Sequence, residues 1–267
     1  MMKKSKLSSI YLFIIFAVLY APIFYLIFYS FNSGGTMYHF EGFTLEWYKE
    51  LFGDTRLLII VLNTIIVALL SAAISTILGI AGALAIYYSR KRRVQNTLLS
   101  LNNVLIVSPD VIIGASFLIL FTMIGIKLGF VSVLLAHIAF SVPIVVIMVL
   151  PKLEEMSTTM IYAALDLGAS RWDVLTKVIL PYITPGIFAG FFMALTYSLD
   201  DFAVTFFVTG NGFSTLSVEI YSLARRGVSL NINALSALLF LFTMLLVVGY
   251  YFIIKRNSRP SKMGVRS

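Results

Sequence analysis

The sequence predicts an all-α integral membrane protein with six transmembrane helices, and three observations carry that expectation. Charged residues make up 12% of the chain, against about 25% in soluble domains, so most of its surface must face something other than water. Apolar stretches long enough to match the roughly 30 Å hydrocarbon slab of a bilayer recur along the chain. Lysine and arginine gather on alternate connections, as topology signals do.

The spans fall at roughly 10–31, 57–88, 98–124, 131–150, 183–208 and 232–254. Lys3, Lys4 and Lys6 precede the first, which is long and rich in aromatics. A cleaved signal peptide has a shorter apolar region and a small-residue cleavage site, so this stretch reads as a retained first crossing. The second exceeds one untilted crossing at about 1.5 Å per residue, and is expected to tilt or project past the bilayer. Only Ile126–Phe130 separates the third from the fourth, and Pro109 and Pro143 are expected to kink or break them.

One set of connections collects fifteen Lys and Arg: the three N-terminal lysines, Arg90 to Arg93, Lys152, Arg171, Lys177, and Lys255, Arg256, Arg259, Lys262 and Arg266. The other holds five: Lys49, Arg56, Lys127, Arg225 and Arg226. The positive-inside rule then puts the first set and both termini in the cytoplasm. The net charge of +8 reflects this placement rather than a nucleic-acid surface. Outside, 32–56 reads as a loop with a short interfacial helix near Trp47 and Tyr48, and 209–231 opens on Gly210-Asn211-Gly212 and ends in polar Ser229 and Asn231. With no cysteine in the chain, neither disulfides nor cysteine-ligated metals can hold the fold.

Residues 151–182 form the one long polar interruption on the cytoplasmic side, and they read as two short helices with a bend. Ser157 to Thr159 offer N-cap oxygens for the first. Met160, Ala163, Ala164 and Leu167 follow at i, i+3, i+4 and i+7, one face of a helix. Gly168 stops it, because glycine takes the left-handed cap conformation at little cost. Ser170 caps the second helix with Asp173 three residues on. Trp172, Leu175, Thr176 and Ile179 stripe one side of it, and Pro181 ends it. The segment is either a hairpin packed on its own protein or a docking helix that inserts an apolar face in a partner's groove.

Acids within apolar spans are expensive and mark function. Three occur here: Asp110 after Pro109, and the adjacent pair Asp200 and Asp201. No lysine or arginine lies deep in a span to pair with them. Adjacent carboxylates repel in a low dielectric, and a cationic cargo or a water-filled path relieves that repulsion. Several spaced carboxylates suit an extended polyamine better than a compact ion. Asp201 is expected to share a small-residue face with Gly190, Ala194 and Tyr197, where helices approach closely, and Tyr197 adds a cation–π surface. The alternative for either acid of the pair is a hydrogen bond to backbone or to a partner subunit. His137 is read as a bridge between helices, and no metal ligand set accompanies it.

The run Tyr162-Ala163-Ala164-Leu165-Asp166-Leu167-Gly168-Ala169, followed by Val178-Ile179-Leu180-Pro181, resembles the Glu-Ala-Ala (EAA) loop of ABC importer permeases. Tyr162 stands where that signature has glutamate, so a charge pairing made there by the family is missing. The resemblance implies the MetI-like type I permease fold, with 1–267 as one transmembrane domain. It also implies that Met160, Ala163, Ala164, Leu167, Gly168, Ala169 and Pro181 couple the chain to an ATPase. The chain itself has no Gly-x-x-x-x-Gly-Lys-[Ser/Thr] phosphate loop, so it is expected to be no enzyme and to bind no cofactor, with ATP and Mg held by the partner.

Ser198-Leu199-Asp200-Asp201-Phe202, Thr209-Gly210, Thr215-Leu216, Asn233-Ala234-Leu235-Ser236, Pro109-Asp110 and Ala136-His137-Ile138 look like the spermidine/putrescine permeases of PotC type. That family implies a pathway lined by Asp110, Asp200, Asp201 and Tyr197. It implies a PotB-like second permease, two PotA-like ATPases and a PotD-like external binding protein as partners, in a bacterial inner membrane. The rival classes are an importer permease for another solute, a secondary cation transporter or channel, and an intramembrane aspartyl protease. The second has no need of the Ala-Ala…Gly…Leu-Pro loop, and the third lacks a Gly-x-Gly-Asp or Tyr-Asp setting.

Overall fold

A computed structural model describes residues 6–226 and 230–257. Lys3, Lys4, Ser229, Arg259, Lys262 and Arg266 of the topology argument lie outside the described residues. The described chain is helical: α1 Lys6–Tyr29, α2 Glu46–Gly53, α3 Thr55–Tyr87, α4 Arg92–Val107, α5 Asp110–Met123, α6 Phe130–Glu155, α7 Thr158–Asp166, α8 Arg171–Val174, α9 Leu180–Asp200, α10 Ala203–Val208, α11 Leu216–Arg226 and α12 Leu230–Asn257. A π-helical turn, Leu175–Ile179, joins α8 to α9.

Ile10–Tyr29, Thr55–Tyr87, Phe130–Glu155 and Arg171–Asp200 are each long and apolar enough to cross a bilayer. The third expected span is not one straight helix. It is the pair α4 and α5, bent by 103°. Pro109 has no N–H to continue the ladder of α4, and it holds Ser108 before it in an extended conformation (φ −71°, ψ 138°). The sixth is α12, of 28 residues, with Leu230–Leu241 its apolar described stretch. Residues 209–231, expected as a polar connection, contain the helix α11.

The chain divides into two compact units, one drawn from its two ends (up to Leu57 and from Ile220), the other Leu58–Glu219. In the first, α12 packs on α1 and α2. The loop before α2 is organised by buried Asn32. Its Nδ2 donates to the carbonyls of Thr36 and His39 at 2.7 Å each, and the Trp47 indole N–H donates to its carbonyl at 2.7 Å.

In the second unit α6 is the central element, packed along α9 and also against α4 and α10. Val145, Val149 and Leu153 of α6, Ile183 and Ala194 of α9, and Ala72 and Ala83 of α3 form one fully buried core. Val133 and Ala136 of α6, Val208 of α10 and Ile113 of α5 belong to another. Helices in lipid gain nothing from leaving water, so they associate through close van der Waals packing at small residues. Gly79 and Gly190 supply it here: a Cβ on Gly79 would meet the Val145 side chain at 2.5 Å, and one on Gly190 would meet it at 3.1 Å.

The loop 151–182 folds largely as its residues dictate. Ser157 caps α7 by accepting from the Thr159 N–H, Gly168 sits at φ +84°, and Ser170 and Asp173 form a reciprocal capping box on α8. Pro181, however, does not end the helix. The π turn ahead of it shifts the ladder, with the Leu180 N–H bonding the carbonyl of Leu175, so Pro181 falls in the first turn of α9, where its missing N–H costs little. The same shift dissolves the expected stripe: Trp172 is 71% exposed and Ile179 is 2% exposed. One rod runs from Arg171 to Asp200.

Candidate functional site

The fifth expected span, 183–208, is interrupted at the acids. α9 ends at Asp200, and Asp201 turns to an extended conformation (φ −62°, ψ 120°) before α10 begins. Asp201 is the C-cap of α9, with helical φ and its N–H on the Tyr197 carbonyl at 3.0 Å, so its Cβ keeps the register of Gly190, Ala194 and Tyr197 while the chain after it leaves the helix. It stands in the break, where its carboxylate accepts from the amides of Val204 (3.3 Å) and Thr205 (2.8 Å). These are two of the free N–H groups that every helix start leaves over, so the carboxylate is what lets α10 begin there. The Thr205 hydroxyl donates to the same oxygen at 2.7 Å.

The break and the α4–α5 bend meet at one cavity of about 370 Å³ within the second unit. Asp110 opens α5 beside it, Tyr197 and Asp200 line it from the last turn of α9, and Asp201 lines it from the break. The structure thus brings together all four residues singled out as a cation pathway. Their settings differ. Asp110 and Asp200 are exposed and Tyr197 is 50% exposed, whereas the Asp201 side chain is 8% exposed and wrapped by donors. The rest of the wall is largely apolar, including Ile113, Phe140 and Ile144. A cleft with carboxylates on apolar walls concentrates the field of those charges on whatever enters.

Behind Asp201 lies a polar cluster of which only His137 stood out in the sequence. The imidazole, fully buried on α6, has Nδ1 2.7 Å from the Ser198 hydroxyl and Nε2 2.8 Å from the Thr205 hydroxyl. It bridges α6 to α9 and α10, as a lone intramembrane histidine was expected to. The Ser71 hydroxyl of α3 lies 3.0 Å from that of Ser198 and 3.1 Å from the Ala68 carbonyl. Ser71 and Thr205 escaped notice because each is a single polar residue beside apolar neighbours, and Ser198 was read only as part of the run Ser198–Phe202 with no role of its own. Their shared signal is that they lie in spans that also hold an acid or a histidine, or pack against one. Among the described residues no three His, Asp or Glu side chains converge as a metal shell would.

The loop side chains sort into two groups. Ala164 and Ala169 are half-buried and pack, with Ile161, on the core beside α6. Met160, Ala163, Leu167, Gly168 and Pro181 are exposed, Leu167 by 89%. The expected single face of α7 is therefore divided: Ala164 turns inward and the other three turn outward with Tyr162.

An all-helical chain with a bent third span, a broken fifth span and an exposed two-helix loop between α6 and α9 has the architecture of a transport permease. It belongs to the family of binding-protein-dependent transport system inner membrane components, whose pattern matches residues 75–260. The spermidine/putrescine transport system permease protein PotC of Haemophilus influenzae is 35% identical over 257 residues, 96% of this chain and 100% of that one. Two solved structures share the fold at 17% identity. One is a bacterial ABC transporter involved in import of the acidic polysaccharide alginate (TM-score 0.72, 94% of each chain). The other is the MetNI methionine ABC transporter (TM-score 0.62, 77% of this chain and all of that one). The chain is a multi-pass inner-membrane permease subunit of an ABC importer.

Proposed function

We propose that this chain forms half of the translocation pathway of an ATP-driven polyamine importer, of the spermidine/putrescine class. The observation that carries the reading is the cavity where Asp110 meets Tyr197, Asp200 and Asp201, two stretches of sequence far apart in the chain. Carboxylates spaced around apolar walls suit a flexible chain of ammonium groups and methylenes, and they repel anions. Likeness to PotC over nearly the whole chain supports the same cargo.

The partners follow from that assembly: a PotB-like second permease, two PotA-like ATPases that bind the ATP and Mg, and a PotD-like external binding protein. The loop 151–182 faces the cytoplasm with both termini, in keeping with the distribution of Lys and Arg. Its exposed Met160, Ala163 and Leu167, on the rigid stem ended by Gly168, enter a groove of the ATPase, and the chain has no ATPase of its own. The test is to purify the assembled importer in lipid and measure ATP hydrolysis with binding protein loaded with spermidine, with putrescine, or exposed to sulfate. Stimulation by the two amines supports the reading. Stimulation by sulfate alone rejects it.

A further inference from the structure

We propose that His137, held as its neutral Nε2–H tautomer, is a positioning residue for the pathway, orienting a chain of hydrogen bonds that fixes the Asp201 carboxylate in the break between α9 and α10. The inference rests on the reading of Asp201 as a pathway acid, and it follows from counting protons. Each hydroxyl has one to give. The Ser71 hydroxyl reaches both the Ala68 carbonyl at 3.1 Å and the Ser198 hydroxyl at 3.0 Å, so its proton does not decide which way the 2.7 Å contact between Ser198 and His137 Nδ1 runs. From the other end, the Thr205 hydroxyl gives its proton to Asp201 Oδ2 at 2.7 Å. The 2.8 Å contact between Thr205 and Nε2 then requires Nε2 to be the donor. With the proton on Nε2, a fully buried imidazole avoids the large cost of a buried charge by leaving Nδ1 bare, and Nδ1 then accepts from the Ser198 hydroxyl.

The chain thus runs Ser198 to His137 to Thr205 to Asp201, with every proton pointing toward the carboxylate, and Ser71 packs its hydroxyl against the first member. It ties α3, α9, α6 and α10 to one charge. Ser71, His137 and Thr205 are fully buried and Ser198 is 3% exposed, so no water competes for these bonds, and a buried network with every member satisfied is rigid. Oδ2 of Asp201 is held by both the hydroxyl and the amide of Thr205, and Oδ1 accepts from Val204. The remaining capacity of Oδ1 is what this acid offers to the cavity. Asp201 is accordingly a fixed charge in the wall, whereas exposed Asp110 and Asp200 are free to follow the cargo.

Two measurements test this. The chain has two histidines, so the full-length His39→Gln protein, labelled with 15N-histidine and held in lipid, reports His137 alone by NMR. The expected spectrum has a protonated Nε2 and a bare Nδ1. A proton on Nδ1, or on both nitrogens, overturns the proposal. In the assembled importer, Thr205→Val keeps the shape and removes the hydroxyl. It should raise the KM for labelled spermidine uptake by about tenfold, the worth of one charge-assisted hydrogen bond, at an unchanged amount of complex, and Thr205→Ser should restore it. If Asp201→Asn impairs uptake while Thr205→Val matches the wild type, positioning fails and the pathway reading stands. If Asp201→Asn leaves uptake unchanged, the pathway reading falls and the positioning role with it.

Discussion

Gly114 on α5 faces Val204 on α10 with no room for a side chain. A Cβ at 114 would stand 3.0 Å from the Val204 Cα and 2.8 Å from the Phe207 ring. Because α10 supplies the amides that hold Asp201, this contact sets where that acid sits. Gly114→Ala is expected to push α10 away and to cost about 1–3 kcal/mol, as overpacking does. A lowered thermal midpoint of the purified complex, together with reduced spermidine uptake, is the outcome to look for. An unchanged midpoint would mean that α10 has room to move.

Asp110 and Asp200 are the acids most open to the cavity. Asp110→Asn and Asp200→Asn are each expected to reduce spermidine uptake about tenfold or more, the effect of losing a charged hydrogen-bond partner for an ammonium group. Both side chains are exposed, so the amount of assembled complex should stay as it was. Uptake at the wild-type rate in both variants would remove the cavity from the pathway.

Leu167 is 89% exposed at the end of α7, an arrangement that does nothing for the chain's own core. Leu167→Glu should leave the protein folded in the membrane while abolishing the stimulation of ATP hydrolysis by loaded binding protein. Full stimulation in that variant would place the ATPase contact elsewhere.

Gly168 adopts φ +84°, and a Cβ there would meet nothing within 4 Å. Any cost of substitution is therefore backbone strain, about 1–2 kcal/mol for an ordinary residue in the left-handed region. Asparagine tolerates that region far better than valine. Gly168→Asn should keep most of the coupled ATPase activity and Gly168→Val should lose it. Equal activities would show that the bend between α7 and α8 does not matter.

What was legible in the sequence was local. Ser157, Gly168 and the Ser170–Asp173 box act on their own neighbours, so their types and spacing fix the turns they make. The apolar runs announced the spans, and Pro109 announced an interruption. The size of the bend at Pro109 was not legible, since the packing of α4 on α6 and of α5 on α10 decides it. The end of α9 was hidden too: Leu199-Asp200-Asp201-Phe202 contains no glycine or proline, and the helix stops because Asp201 serves the amides of the next one. Pro181 misled for the opposite reason. A proline that ordinarily ends a helix is absorbed by a wider turn just before it, which no pattern of apolar residues reveals. That His137 joined helices could be read from its isolation. Its partners, Ser198 and Thr205, lie 61 and 68 residues away and only the fold unites them.

The π turn at Leu175–Ile179 also makes a lever of what the sequence divides into loop and span. Thirty residues from Arg171 to Asp200 give a beam about 45 Å long at 1.5 Å per residue. Tilting such a beam by about 5° around its middle carries its two tips roughly 2 Å in opposite directions. Tyr197 and Asp200 ride at one tip and the capping box of Ser170 and Asp173 at the other. A nudge no larger than a fraction of an atom's diameter at the stem would thus reach the carboxylates undiminished and reversed in sense.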